Sequence, residues 1–331
     1  MRYVFLGRTG VKVSEICFGT MTFGGDTDEK VSAELYQTCR DAGVNFFDCA
    51  NIYVGGRSEE ILGELIRDHR DEVIIATKAY FSTGEDVNAG GSSRRHLIQS
   101  VEASLKRLGT DRIDLFYLHR FDDTTPLEES LRALDDMIRK GKILYLGVSN
   151  FAAWQVEKGL GISLLHNWAR FECIQPMYNL VKRQAEVELL PMAVAEGLSV
   201  FPYSPMGGGL LSGKYGVDTK PEVGRLVDNA MYGIRYGDPG VYQTAKDFSE
   251  LAAKYGHHPA ALAVAWVGSH PAVTAPIIGA RTLEQLKGSL EATEIEMTDE
   301  LRKEIAALSP EPALATDRNE ERTETTFGVR K

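Results

Sequence analysis

Short apolar runs that each end in a polar residue recur along the chain, spaced like strands separated by helices. Asn45-Phe46-Phe47-Asp48 is one such run, and Tyr53 follows five residues later. Val73 to Thr77 ends at Lys78, and Asp114 to Leu118 ends at His119; both have the continuous apolar character of buried strands. Gly147-Val148 then leads to Ser149-Asn150, Glu172-Cys173-Ile174 to Gln175, and the run from Leu198 to Pro202 to Tyr203. Ile16 to Gly19 and Val273 to Ile278 supply a first and a last strand. Helical spacing places helices at 28–42, 58–67, 93–108, 126–140, 154–166, 185–196, 243–255, 259–267 and 282–291. Several are followed by a helix-stopping glycine (Gly43, Gly109, Gly141, Gly197).

About eight strands alternating with helices, with no boundary between Ile16 and Ile278, predict an α/β fold of the (β/α)8 TIM-barrel type. A doubly wound sheet is the alternative, but no Gly-x-Gly-x-x-Gly follows an early strand. Residues 3–6 and 11–16 flank Gly7-Arg8-Thr9-Gly10 and predict an N-terminal β-hairpin lying over the closed end of the barrel. Residues 298–308, with Thr298 as N-cap, predict an extra C-terminal helix packed outside. Residues 1–308 read as one domain, and 309–331 as a charged, flexible tail or a strap across a neighbour. The stretch 206–240 breaks the rhythm: it is rich in glycine and far longer than an ordinary connection, so it is expected to be functional or mobile.

At 331 residues, 43% hydrophobic and 25% charged, the chain suits one large core. No apolar run approaches the roughly 20 residues needed to cross a bilayer, and no apolar signal segment follows Met1, so a cytoplasmic protein without membrane attachment is expected. The net charge of −10 argues against a nucleic-acid surface. Cys17, Cys39, Cys49 and Cys173 lack Cys-x-x-Cys spacing and read as reduced, buried thiols. No partner other than a small molecule is indicated, and oligomerisation is neither required nor excluded.

In a β/α barrel, active sites sit at the rim formed by the C-terminal ends of the strands, where Asp48, Tyr53, Lys78, His119, Asn150, Gln175 and Tyr203 would converge. Tyr53 is the candidate proton donor. A free phenol titrates near pH 10, so a nearby cation should be needed to stabilise its anion. Lys78 supplies one, and Asp48 would hold the lysine charged. His119 would be a neutral donor to a carbonyl oxygen. The plainer alternative is a structural Asp48–Lys78 ion pair with Tyr53 as packing. No metal site is indicated, because His119 lacks a partner at ligand spacing and His257-His258 has none nearby. Gly208 to Lys214 spells Gly-x-x-x-x-Gly-Lys, but Tyr215 stands where a triphosphatase needs a magnesium-binding hydroxyl. Tyr203 could stack on a flat heteroaromatic ring. Gly279-Ala280-Arg281 before the helix at Thr282 forms a ready anion site.

From Leu6 to about Leu308 the chain resembles the aldo-keto reductases. The carrying segments are Gly19-Thr20-Met21, Asp48-Cys49-Ala50-Asn51-Ile52-Tyr53, Thr77-Lys78, Leu118-His119-Arg120, Gly141-Lys142-Ile143, Gly147-Val148-Ser149-Asn150, Gln175-Pro176, Tyr203-Ser204-Pro205 and Ile278-Gly279-Ala280-Arg281. Their style is closest to the bacterial branch related to potassium-channel β subunits and aryl-alcohol dehydrogenases. The resemblance implies an NADPH-dependent reductase of aldehydes or ketones working by hydride transfer, with Asp48, Tyr53, Lys78 and His119 as tetrad and Tyr53 as acid. It also implies that Ser149, Asn150 and Gln175 hold the nicotinamide carboxamide, Tyr203 stacks on the ring, and Thr20, Met21 and Asp48 touch its ribose. Ser204, Pro205, Met206, Gly207, Leu210 and Lys214 would follow the pyrophosphate, while Gly279, Arg281, Gln285 and Ser289 would line the adenosine end. Residues 206–240 would form a belt over the cofactor. Gly288 and Ser289 depart from the acid and amide often found near the adenine, and Asn51 from a common acidic residue. An NADPH-binding regulatory or sensor subunit with negligible catalysis is the rival that the resemblance leaves open.

Overall fold

Among the described residues, ten strands, numbered in chain order, form two sheets. The computed structural model describes residues 1–316 and residue 320. Strands β1 (Tyr3–Phe5) and β2 (Lys12–Ser14) pair antiparallel as the expected hairpin. The other eight are parallel: β3 (Cys17–Gly19), β4 (Phe46–Asp48), β5 (Ile74–Ala79), β6 (Ile113–Leu118), β7 (Ile143–Ser149), β8 (Phe171–Gln175), β9 (Ser199–Val200) and β10 (Ile277–Ile278). Their order is β10-β3-β4-β5-β6-β7-β8-β9. A bridge from Tyr203 to Ile277, with the Ile277 amide donating to the Pro202 carbonyl at 2.9 Å, joins the two ends and closes the barrel.

Side chains alternate across each strand, so a period of two sorts this sheet into two cores. Cys17, Phe46, Ala76, Leu115, Tyr117, Cys173 and Phe201 point inward and fill the barrel; Phe18, Phe47, Ile75, Phe116, Leu146 and Val148 point outward and pack beneath the helices. The interior is tight. A Cβ on Gly147 would lie 2.5 Å from the Cys173 sulfur and 2.6 Å from the Tyr117 ring, so this position excludes any side chain. Below, the hairpin contributes fully buried Leu6 and Val13 to the inner cluster, and the Gly7 amide donates to the Ser199 hydroxyl at 2.7 Å. The hairpin thus plugs the end where the strands begin and leaves the opposite end for chemistry.

The crossover helices start and stop where capping chemistry dictates. Asp28, Ser93 and Thr298 each accept a backbone N–H of the helix they precede (Glu29–Asp41, Arg94–Leu108 and Asp299–Ala306). Gly109 and Gly197 end theirs in the left-handed conformation. Other helices span Arg57–Ile66, Leu127–Arg139, Ala153–His166, Leu189–Glu196, Pro239–Lys254, Pro259–Gly268 and Leu283–Leu290. Residues 206–240 are more ordered than their glycine content suggests. They include short helices at Arg225–Asp228 and Ala230–Arg235, anchored by buried Leu226, Tyr232 and Tyr236. Helices this short fall below the length at which hydrophobic periodicity is visible. At the start of the expected tail the Arg183 guanidinium holds the Ser309 carbonyl, together with that of Ala306 at the end of the last helix; everything past Thr316 except Glu320 lies outside the described residues.

Candidate active site

Strand parity brings the site together. Asp48 ends β4 pointing inward, and Lys78 points inward one pleat further along β5, paired with Tyr117 of β6. Tyr53 is on no strand. It opens a 3₁₀ turn after β4, where Val54 takes a positive φ of 49°, and this turn folds the phenol back over the barrel mouth. His119 follows β6 directly, its amide donating to the Ala79 carbonyl at 3.1 Å.

The Lys78 ammonium, fully buried, uses all three of its protons. It donates to Asp48 Oδ2 at 2.5 Å, to the Cys49 carbonyl at 2.7 Å and to the Tyr53 hydroxyl at 3.2 Å. The other Asp48 oxygen accepts from Gln175 Nε2 at 2.9 Å. Burial favours the neutral amine, yet Asp48 and then Tyr53 hold Lys78 above its ordinary value, so the cation persists in the core. The His119 ring meets that of Tyr53 edge-on at 6.1 Å, and its Nδ1 has no hydrogen-bond partner.

The phenol is not acidified as the sequence led us to expect. Burial pushes Tyr53 up to about 12; Lys78 pulls it down and Asp48 pushes it up, so the lysine only partly offsets desolvation. The lysine charge is largely engaged by Asp48. A phenol at about 12 remains more acidic than an alcohol, whose proton is held about as tightly as that of water at ~15.7. Tyr53 is thus fully protonated at neutral pH and can still give its proton to a developing alkoxide. Burial, with Lys78 second, lowers His119 to about 3, so it is a neutral imidazole. Since Tyr53 deprotonates only as pH rises through about 12 and His119 gains a proton only below about 3, any reaction that takes its proton from Tyr53 should have a flat rate from about pH 5 to 9. A kcat profile that falls with an apparent pKa inside that window would show that one of these groups is tuned differently.

Around the mouth, Ser149 donates to the Gln175 carbonyl at 2.9 Å, and Asn150, at a positive φ of 57°, donates to the His119 carbonyl at 2.9 Å and to Ser149 Oγ at 3.0 Å. The Tyr203 hydroxyl donates to Asn150 Oδ1 at 2.8 Å, which fixes the ring at the rim. Thr20 is buried against the Asp48 carbonyl and Ser58, while Met21 is exposed. Ser204 has a positive φ of 57°, and Gly207, Gly208 and Gly209 continue with positive φ, giving a turn free of side chains. Pro205, Gly207 and Leu210 are buried, Met206 is half-buried, and Lys214 is exposed at the end of the turn. At the helix Leu283–Leu290, Arg281 pairs with Asp26 at 2.9 Å, its amide donates to Gln285 Oε1 at 2.9 Å, and Gly279 is exposed. Ser289 is buried, donating to the Gln285 carbonyl at 3.1 Å and reaching the Met206 sulfur at 4.0 Å.

Two features carry no legible sequence signal: the burial of Glu59 and the bond from Gln175 to Asp48. Glu59, fully buried, accepts from Thr77 Oγ1 at 2.5 Å and Arg107 Nε at 2.6 Å, bracing β5 from behind. Gln175 holds Asp48 from the far side of the barrel. Phe81, 38% exposed, sets its ring 4.9 Å from His119. Phe121 lies 5.2 Å from Phe151 and 5.8 Å from Trp154, adding to an aromatic border.

Comparison with known proteins agrees with this geometry. Residues 15–310 match the model of the Aldo/keto reductase family. An uncharacterized oxidoreductase, YrpG, of Bacillus subtilis is 37% identical over 94% of this chain and 97% of its own. A probable voltage-gated potassium channel subunit beta of Arabidopsis thaliana is 36% identical over 89% of this chain and 92% of its own. Versiconal hemiacetal acetate reductase of Aspergillus parasiticus is 32% identical over 91% and 94%. Among the described residues no helix is long and apolar enough to cross a membrane.

Proposed function

The chain belongs to the aldo/keto reductase family of oxidoreductases, and on that premise we propose that it reduces aldehydes or ketones to alcohols with NADPH, Tyr53 being the general acid. The observation that carries this reading is the Lys78 ammonium bonded at once to Asp48 and to the Tyr53 hydroxyl at the open end of the barrel. When bound, NADPH supplies the hydride. Everything else falls to the protein: Tyr53 protonates the substrate oxygen, Lys78 steadies the phenolate left behind, Asp48 and Gln175 fix Lys78, and neutral His119 orients the carbonyl.

The residues present fit such a cofactor. The glycine turn at 207–209 lets backbone approach a pyrophosphate without a Cβ in the way, Tyr203 offers a ring face, and Arg281 stands beside a helix start. Arg281 is the selector of the 2′-phosphate. Replacing Arg281→Glu should remove a charge-assisted contact of about 1.5–3 kcal/mol, weakening NADPH about 10- to 100-fold while leaving NADH nearly unchanged in a fluorescence titration. An equal loss for both cofactors would exclude this role.

The aromatic border supports aromatic carbonyls as the favoured substrates. Removing the ring in Phe81→Ala should raise KM for benzaldehyde about 2- to 10-fold, the range of one lost aromatic pair, and leave KM for propanal unchanged. Equal effects on both would place Phe81 outside the substrate pocket. The resemblance to a channel β subunit sustains a second reading, a cofactor-binding regulatory subunit that turns over no carbonyl. Aldehyde-dependent consumption of NADPH decides between them.

A further inference from the structure

Between the loop that follows β5 and the helix Arg94–Leu108 lies a cavity of about 240 Å³ that the catalytic account leaves unused. One wall is a face of the helix Arg94–Leu108, which presents Arg95, Gln99, Ser100, Ala103 and Arg107. The other is the loop after β5, with Thr83, Asp86 and Asn88; this loop also carries Phe81 against His119. Asn51 closes the inner end. It is 3% exposed, its amide N–H donates to the Lys78 carbonyl at 3.1 Å, and its side-chain oxygen has no hydrogen-bond partner.

The lining describes its occupant. No large apolar side chain contributes, so the occupant is polar, and the volume equals about eight waters at ~30 Å³ each, well below a drug-sized ligand. Arg107 is held rigid by Glu59, fully buried, which takes Nε at 2.6 Å, and Nη2 also donates to Ser104 Oγ at 3.4 Å; the Nη1 protons remain for an oxyanion. Arg95 is tied to Asp86 only at 3.8 Å, both more than half exposed, so it is free to turn inward. Asn51 lacks a donor, which a hydroxyl supplies, and buried amides left unpaired are costly. We propose that this cavity is a second small-molecule site, for a hydroxylated oxyanion such as a phosphate monoester or hydroxycarboxylate.

The test is calorimetric titration of the full-length protein with glycerol 3-phosphate, and with inorganic phosphate for comparison. Saturable one-to-one binding is expected, about fivefold or more tighter than phosphate because of the added hydroxyls. Arg95→Gln, which alters an exposed side chain, and Ala103→Met, which fills the cavity from a helix position, should each weaken it about tenfold or more. Both variants should keep wild-type Tm and carbonyl turnover. Absence of saturable binding, equal affinity for inorganic phosphate, or undiminished binding by Ala103→Met would overturn the proposal, the last by locating the probe elsewhere, such as at Arg281.

Discussion

Tyr53→Phe should fold normally, bind NADPH as the wild type does, and lose carbonyl turnover by about 10²- to 10⁴-fold, the usual contribution of a placed general acid. The ring and its contact with His119 remain; only the hydroxyl that accepts from Lys78 at 3.2 Å is gone. The loss should appear in kcat more than in KM, since the proton is needed as the alkoxide forms. NADPH binding by fluorescence, beside steady-state kinetics, separates this outcome from misfolding. Turnover near that of the wild type would dismiss Tyr53 as the acid.

Lys78→Met should be damaging in two separable ways. Removing the ammonium leaves Asp48, 3% exposed, as an uncompensated buried carboxylate, and breaking such a pair costs about 3–5 kcal/mol of stability. It also removes the cation that holds the Tyr53 phenolate. Adding Asp48→Asn to Lys78→Met should recover much of the stability, because the stranded charge is gone, without recovering turnover. Chemical denaturation and kinetics on the two single variants and the double variant form the cycle. If the pair were only structural, turnover would return together with stability.

Much of this architecture was legible because it follows from local rules. Phe46 and Asp48 face one way and Phe47 the other by the pleat alone, and Asp28, Ser93 and Thr298 announce helices by their ability to cap. The convergence of Asp48, Lys78 and His119 followed once eight strands were counted. What the sequence hid depends on neighbours distant along the chain. That Gln175 bonds Asp48, 127 residues away, requires knowing how the barrel closes. Glu59 looks like any acidic residue in a first helical turn, yet lies fully buried between Thr77 and Arg107. The direction of the Tyr53 shift was misjudged for a related reason: the sequence identifies a lysine nearby, but not that Asp48 engages its charge or that burial of the phenol dominates.

The revised acidity changes the proposed mechanism in one respect. A strongly acidified phenol would be partly ionised at neutral pH and unable to donate, whereas one at about 12 keeps its proton until a stronger base forms beside it. Lys78 then matters mainly after transfer, when the phenolate it touches must survive in a buried site.

The most direct measurement is to mix the purified protein with NADPH and benzaldehyde, following cofactor absorbance and the alcohol formed. The tetrad predicts saturable consumption of NADPH, matched mole for mole by benzyl alcohol and abolished in Tyr53→Phe. Tight NADPH binding with no consumption across aromatic and aliphatic aldehydes would contradict it and leave a cofactor-binding regulatory subunit in its place.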